Sequence, residues 1–220
     1  MKDKRITVQQ AGAMVPDNAT VMVGGFIGVG APDHITDELV RRGTKDLTVI
    51  ANDTSFPGLG LGKMVERRQI KKFIGTHIGT NPETGRQMSA GEMDVTLIPQ
   101  GTMVEKMRAA GYGLGGVLTG TGLGTLVAEG KQTVWVNGKE YLLEEPLGAE
   151  IALIYGTKVD EAGNVYYEGT TRNFNVMMSR AAKTVIVEAE EVVPVGGIDP
   201  NHVVIPGIFI DYIVEVANNG

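Results

Sequence analysis

The sequence has 220 residues, of which 42% are apolar and 21% charged, the composition of an ordinary globular protein, and its length is compatible with one α/β domain over residues 1–220. Its 20 Lys and Arg side chains against 26 Asp and Glu give a net charge of −6, which argues against a nucleic-acid-binding surface. Cysteine is absent, so disulfides, thiolate metal sites and cysteine nucleophiles are excluded. No apolar run approaches the roughly 20 residues that cross a bilayer, and we expect a cytoplasmic protein without a membrane or metal site.

In the first half of the chain, the predicted elements alternate between strands and helices. The segment Thr-Val-Gln-Gln at residues 7–10 has the pattern of a capping box and predicts a short helix, which the turn at residues 16–18 ends. A second helix is predicted between Pro32 and Gly43, and another capping box at residues 102–105 predicts the start of a third. The predicted strands are residues 20–23, 47–51, 70–78 and 95–99.

The second half of the chain adds a predicted β-hairpin. Asn137-Gly138, a pair that favours a type I′ turn, separates the strand-like segments 133–136 and 140–143. Further strands are predicted at residues 151–155, 184–187 and 203–205, with a helix at residues 175–182. The fold class is therefore α/β, with a single mixed, mainly parallel sheet flanked by helices and a small β-hairpin insertion.

Glycine is concentrated in one part of the chain, because 21 of the 31 glycines lie between Gly24 and Gly130. Residues 111–116 have the G-x-G-x-x-G spacing of dinucleotide sites but follow a predicted helix, and the segment around Lys63 lacks the first glycine and the hydroxyl residue of a P-loop. The loop at residues 24–32 joins a predicted strand to a predicted helix, so its backbone N–H groups are candidates for holding an anion. The alternative is that these glycines only form the turn.

Residues 17–32 read Asp-Asn-Ala-Thr-Val-Met-Val-Gly-Gly-Phe-Ile-Gly-Val-Gly-Ala-Pro, which resembles the signature of family I coenzyme A transferases. Further segments in the order typical of the family's α (A) subunit are residues 51–53, 79–83, 91–94 and 99–102. The resemblance implies the CoA-transferase (NagB/RpiA-like) fold and an α subunit of the acetate, butyrate or acetoacetate (3-oxoacid) type. The chain departs from the family pattern at Gly120, where relatives usually carry proline.

The same resemblance implies a ping-pong reaction between a short-chain acyl-CoA (acetoacetyl-, butyryl- or acetyl-CoA) and a free carboxylate. A glutamate carboxylate attacks the acyl-CoA and passes through an anhydride to a glutamyl-CoA thioester, without metal or tightly bound cofactor. In the family this glutamate belongs to a Glu-Asn-Gly motif on the β (B) subunit, and that motif is absent from these 220 residues. A partner β subunit is therefore expected.

Site residues are also implied by the resemblance. Gln100 matches a family glutamine whose amide lies near the reacting carboxylate, and a neutral donor stabilises developing charge without pairing permanently with the glutamate. The alternative for Gln100 is a polar residue that satisfies backbone groups. The expected substrate-binding residues are Gly24, Gly25, Phe26, Gly28, Gly30, Asn52 and Asn81.

Gly24, Gly25 and Phe26 are expected to line the acyl end of the cleft, with their backbone N–H groups toward the substrate. Ordinary core packing is the alternative for Phe26, and a turn role is the alternative for each asparagine. His77 falls in a predicted strand and is interpreted as structural. Two other functions stay open: a sugar-phosphate isomerase or deaminase of related fold, and a non-catalytic scaffold subunit.

Overall fold

The computed structural model describes residues 3–216, in which strands and helices alternate through the first half of the chain. The strands are β1 (Arg5–Ile6), β2 (Thr20–Val23), β3 (Leu47–Ile50), β4 (Ile70–Gly75), β5 (Asp94–Leu97), β6 (Val117–Thr119), β7 (Thr133–Val136), β8 (Lys139–Glu144), β9 (Ala149–Asp160), β10 (Val165–Tyr166), β11 (Ala182–Val193) and β12 (Tyr212–Glu215). The helices are α1 (Val8–Ala13), α2 (Asp33–Arg42), α3 (Leu61–Glu66), α4 (Pro82–Ser89), α5 (Gln100–Gly111) and α6 (Asn175–Ala181). Short 3-10 helices lie at Leu126–Ala128, Gly169–Arg172, Pro200–His202 and Gly207–Phe209.

One large sheet organises the part of the chain that the structure describes. Its strand order is β1-β12-β11-β9-β2-β3-β4-β5, all parallel, and β10 pairs antiparallel with β9. Strands β3, β4 and β5 follow one another on one side of β2, and β9 lies on the other side of β2. Loops that leave the carboxyl ends of β2 to β5 therefore meet at one edge, where open α/β sheets bind their ligands. The predicted fold class is confirmed.

The large sheet is covered on both faces. On one face, Val21 and Val23 of β2 belong to the same buried cluster as Ile35 and Leu39 of α2. On the other face, Met22 belongs to a cluster that includes residues of α5 and α6. A parallel strand that is buried on both faces has no polar side, which explains why residues 21–23 of β2 are all apolar.

The predicted hairpin is confirmed and is part of a larger insertion. Asn137 (φ 50°) and Gly138 (φ 75°) both adopt the left-handed conformation that a type I′ turn requires. Strand β6 pairs with β8 on the side opposite β7, which gives a three-stranded antiparallel sheet. The buried Glu144 of β8 accepts hydrogen bonds from Lys106 of α5 at 2.7 Å and from Lys131 at 2.5 Å. The ion pair with Lys106 ties the insertion to α5.

The prediction of a strand at residues 203–205 is wrong. Ile205 forms only an isolated bridge with Val165, and the last strand described is β12, which the sequence did not predict. Strand β12 pairs in parallel with both β1 and β11, so the contacts that specify it come from both ends of the chain. A local pattern of residues does not contain that information.

Two predicted boundaries next to the candidate site are also wrong. Helix α5 begins at Gln100, directly after Pro99, so the capping box expected at residues 102–105 lies inside the helix. Strand β4 ends at Gly75, because the N–H groups of Thr76 and His77 both donate to the carbonyl of Asn52 (2.9 and 3.2 Å). His77 therefore lies in an exposed loop and not in a strand.

The start of helix α2 is capped from a distant strand. Its N-cap residue, Pro32, makes no side-chain hydrogen bond, and the buried carboxylate of Glu188 in β11 accepts the N–H groups of His34 (3.2 Å) and Ile35 (2.8 Å) instead. Nδ1 of His34 lies 2.9 Å from the same carboxylate. Burial raises the pKa of Glu188, and these hydrogen bonds offset only part of that rise.

We expect Glu188→Gln to change the pH dependence of stability. A carboxyl whose pKa is higher in the folded state contributes stability below its unfolded pKa and loses it as the pH rises through the folded pKa. Thermal unfolding from about pH 4.5 to about pH 7.5 should therefore show the melting temperature of Glu188→Gln improving relative to the parent as pH rises. Glu145→Gln, at an exposed residue, is the control. A difference between Glu188→Gln and the parent that does not change with pH would contradict this account.

Candidate active site

Four loops converge at the carboxyl edge of strands β2 to β5. The N–H of Ile27, in the loop after β2, donates to Oδ2 of Asp53, in the loop after β3, at 2.8 Å. The N–H of Thr76, after β4, donates to the carbonyl of Asn52 at 2.9 Å, and Gln100 follows β5 at the start of α5. Residues that are far apart in the sequence therefore form one site.

Gln100 and Asn52, both expected from the sequence, are in direct contact. Nε2 of Gln100 donates to Oδ1 of Asn52 at 2.8 Å, and the hydroxyl of Thr76 donates to the same oxygen at 2.7 Å. Asn52 is buried, whereas Gln100 is exposed at the N-terminus of α5, where the helix dipole favours negative charge. The second N–H of the Gln100 amide has no hydrogen-bond partner among residues 3–216.

Asp53 connects this amide pair to the glycine loop. Its buried carboxylate accepts Nδ2 of Asn52 at 2.7 Å and the N–H of Ile27 at 2.8 Å on one oxygen, and the N–H of Ser55 at 2.7 Å on the other. Asp53 is not among the site residues expected from the sequence. The available signal was its position beside Asn52, directly after a buried strand.

The glycine loop carries a tight turn at its tip. Phe26 and Val29 exchange two backbone hydrogen bonds of 3.0 Å, with Ile27 (φ 51°) and Gly28 (φ 82°) between them in the left-handed conformation. That conformation is unusual for a β-branched residue such as isoleucine. The side chain of Phe26 is 40% exposed, so it is not a core residue. A groove beside this tip is lined by Phe26, Val29, Gly169, Thr170, Arg172 and Asn173.

The expectation that the first N–H groups of this loop face a substrate requires correction. The N–H of Gly24 donates to the carbonyl of Leu153 at 2.9 Å, the N–H of Gly25 to Oδ1 of Asn173 at 3.2 Å, and that of Phe26 to Val29. Because these donors are occupied within the chain, they hold the loop in place. Within residues 3–216, the N–H groups of Gly28 and Gly30 have no protein acceptor.

Asn175, at the start of α6, fixes the glycine loop from the other half of the chain. Its buried side chain accepts the N–H of Tyr155 at 3.1 Å and donates to the carbonyls of Gly30 (3.0 Å) and Thr171 (2.8 Å). A Cβ atom on Gly24 would lie 1.8 Å from Oδ1 of Asn175, so only glycine fits there. No local sequence pattern indicates this contact, because the partners lie about 150 positions apart.

Asn81 has a structural role. Its side chain is completely buried, accepts the N–H of Glu83 at 3.1 Å as the N-cap of α4, and donates to the carbonyl of Thr54 at 3.3 Å. This geometry corresponds to the turn role that was the alternative to a substrate contact. The hydrogen bonds of the Asn81 side chain are therefore made within the fold.

Apolar side chains are exposed on two of the converging loops. Phe26 and Val29 lie on the glycine loop, and Phe56 and Leu59, exposed by 44% and 56%, follow β3. Within residues 3–216, no group of three or more His, Asp or Glu side chains is clustered as metal ligands are, and no helix is long and apolar enough to cross a bilayer.

Comparison of the sequence with known proteins identifies its relatives. The family model described as coenzyme A transferase matches residues 5–216. The chain is 49% identical over 214 residues to acetate CoA-transferase subunit alpha of Escherichia coli K12, covering 97% of each chain. It is 50% identical over 215 residues to the acetoacetyl-CoA:acetate/butyrate CoA transferase alpha subunit of Clostridium acetobutylicum, covering 98% of this chain and 99% of that one.

Solved structures share the fold at low sequence identity. An acyl-CoA transferase from Escherichia coli O157:H7, in a thioester complex with CoA, matches with a TM-score of 0.88 and 20% identity over 100% of this chain, which spans 50% of that one. Glutaconate coenzyme A-transferase from Acidaminococcus fermentans matches with a TM-score of 0.83 and 20% identity, over 97% of this chain and 75% of that one. The match to the family model and the two relatives that are 49% and 50% identical show that this chain belongs to the coenzyme A transferase family.

Proposed function

We propose that this chain is the alpha subunit of a heteromeric CoA-transferase. The enzyme moves CoA between a short-chain acyl-CoA (acetoacetyl-, butyryl- or acetyl-CoA) and a free carboxylate, through a glutamyl-CoA thioester on a beta subunit with a Glu-Asn-Gly motif. The observation that carries the proposal is the exposed Gln100 amide, held by the buried Asn52 at the edge where four loops converge. The names of the two relatives above, both alpha subunits, support the assignment.

The proposed chemistry needs a donor and a nucleophile from different chains. The partner's carboxylate oxygen attacks the thioester carbonyl carbon, and the tetrahedral oxyanion collapses with loss of CoA thiolate to an acyl-glutamyl anhydride. The thiolate then attacks the glutamyl carbonyl and releases the acyl group as a carboxylate, which leaves CoA on the glutamate. Gln100 donates an N–H to the developing oxyanions. Asp53 is buried and accepts three hydrogen bonds, so it is unsuited to be the nucleophile.

Exposed apolar side chains support a partner that covers this edge. Phe26, Val29, Phe56 and Leu59 are exposed on two of the converging loops. Burying such side chains against a second chain is favourable, and it also removes water from a reactive anhydride. The active site is proposed to be complete only between the two subunits.

The proposal is tested by assembling the enzyme from separate chains. We expect no CoA transfer from acetoacetyl-CoA or butyryl-CoA to acetate with this chain alone, and transfer when a chain bearing the Glu-Asn-Gly motif is added. Incubation with acyl-CoA without an acceptor should add the mass of CoA less one water to the partner only, and Glu→Gln in its motif should prevent this. Full activity of the isolated chain would contradict the proposal, and turnover of sugar phosphates by that chain would favour the alternative function.

A further inference from the structure

The amide of Gln100 is useful as a donor only in one orientation. A glutamine amide has two donors on nitrogen and an acceptor oxygen, and a rotation of 180° about the last bond exchanges them. Near a developing oxyanion, the N–H stabilises charge and the oxygen repels it. The residues that select the orientation of this amide therefore influence the reaction without touching the substrate.

Asp53 is the one member of this hydrogen-bonded group that can only accept. Its Oδ2 receives Nδ2 of Asn52 at 2.7 Å, which leaves Oδ1 of Asn52 to receive Nε2 of Gln100 at 2.8 Å. Reversing Asn52 would place its oxygen against the carboxylate. The hydroxyl of Thr76, 2.7 Å from Oδ1 of Asn52, is compatible with this orientation, but as both donor and acceptor it does not select it. The carboxylate of Asp53 therefore determines the orientation of the Asn52 amide, and Asn52 in turn determines the orientation of the Gln100 amide.

The same carboxylate oxygen also holds the glycine loop. Oδ2 of Asp53 accepts the N–H of Ile27 at 2.8 Å, at the residue whose backbone is left-handed. A β-branched residue keeps such a conformation only when its surroundings determine it. One oxygen atom thus contacts both the loop tip that carries Phe26 and the amide that supports Gln100.

We propose that Asp53 is a positioning residue, which fixes through Asn52 the orientation in which the Gln100 amide presents its free N–H to the reacting carbonyl. This inference rests on the proposed function. Asp53 acts through Gln100 and touches neither the acyl-CoA nor the partner's carboxylate. Its effect on the reaction should therefore depend on the presence of Gln100.

The first test replaces the carboxylate with an amide of nearly the same shape. In Asp53→Asn, the new NH2 group must face either the N–H of Ser55 or the two donors from Ile27 and Asn52. Residue 53 then no longer has two acceptor oxygens that hold the Asn52 amide in one orientation. In the assembled enzyme we expect kcat to fall about tenfold with KM for acyl-CoA within about twofold. Asp94→Asn, the same substitution at an exposed aspartate on β5 paired with Lys72, is the control and should leave both constants unchanged.

A double-mutant cycle separates positioning from a general structural role. In the Gln100→Ala background, Asp53→Asn should lower kcat by clearly less than it does in the parent, because the amide that it orients is gone and only the contact with Ile27 is still affected. A loss that is undiminished in that background would overturn the inference. If Gln100→Ala alone leaves kcat unchanged, the proposed role of Gln100 has failed, and the inference fails with it.

A spectroscopic readout keeps the test independent of activity. In protein labelled with ¹⁵N-glutamine, the side-chain NH2 signal that disappears in Gln100→Ala belongs to Gln100. Asp53→Asn should shift that signal, and Asp94→Asn should not. If the parent complex shows no CoA transfer, the proposed function fails and this signal alone decides: an unchanged Gln100 signal in Asp53→Asn overturns the inference.

Discussion

Gln100→Ala is expected to lower kcat of the assembled enzyme by about a hundredfold, as removal of one oxyanion donor does in other acyl-transfer enzymes. The alanine removes the N–H that stabilises the tetrahedral intermediates, and it leaves Oδ1 of Asn52 its hydrogen bond from Thr76. The site therefore loses a donor without an unpaired buried oxygen. Steady-state rates with acetoacetyl-CoA and acetate measure the effect.

Gln100→Glu is the matched variant for this prediction. It keeps nearly the same shape, but both oxygens of its carboxylate are acceptors, so it cannot donate to an oxyanion. One of these oxygens would also lie against Oδ1 of Asn52, and two acceptors repel each other. We expect its kcat to be at least as low as that of Gln100→Ala. Size-exclusion chromatography with the partner and the melting temperature should match the parent for Gln100→Ala. An unchanged rate in Gln100→Ala would remove this residue from the mechanism.

Gly24→Ala is expected to destabilise the chain by about 3 kcal/mol, in the range of forced overpacking in a close-packed interior. The new methyl group would lie 1.8 Å from Oδ1 of Asn175, whose side chain is completely buried and hydrogen-bonded to Tyr155, Gly30 and Thr171. Moving Asn175 breaks those hydrogen bonds and frees the glycine loop. Urea or thermal unfolding of the chain measures the loss.

Two further variants test the cause of this loss. Gly85→Ala makes the same substitution in helix α4, where a new Cβ meets nothing within 4 Å, and we expect a gain of up to about 1 kcal/mol. Gly24→Ala combined with Asn175→Ala should be no less stable than Asn175→Ala alone, because the clash is removed. Additive losses in the double variant would show that the clash with Asn175 is not the cause.

The sequence predicted those parts of the fold that depend on neighbouring residues. The strand β2, the type I′ turn at Asn137-Gly138 and the end of α2 at Gly43, whose φ is 70°, are all specified locally. Strand β12 was missed because its partners β1 and β11 lie elsewhere in the chain. Helix α5 began two residues before its predicted cap, because Pro99 rather than a side-chain cap precedes it.

The site was predicted in the same uneven way. The resemblance to coenzyme A transferases identified Gln100 and Asn52, and the structure places them 2.8 Å apart. Asp53 and Thr76 were not selected, because their role depends on the parallel pairing of β3 with β4. The use of the Gly24 and Gly25 N–H groups inside the chain was not predictable, since their acceptors lie beyond residue 150.

The hydrogen bonds that hold the glycine loop also determine when, during synthesis of the chain, the site can form. Residues 24–100 contribute the strand ends and side chains of the site, but the loop is held by Leu153 and Asn175, and the helix that follows it by Glu188. A ribosome makes the N-terminal part first, so a nascent chain carries these loops before their supports exist. A fragment that ends before residue 188 therefore carries the loops of the site without all of the contacts that hold them.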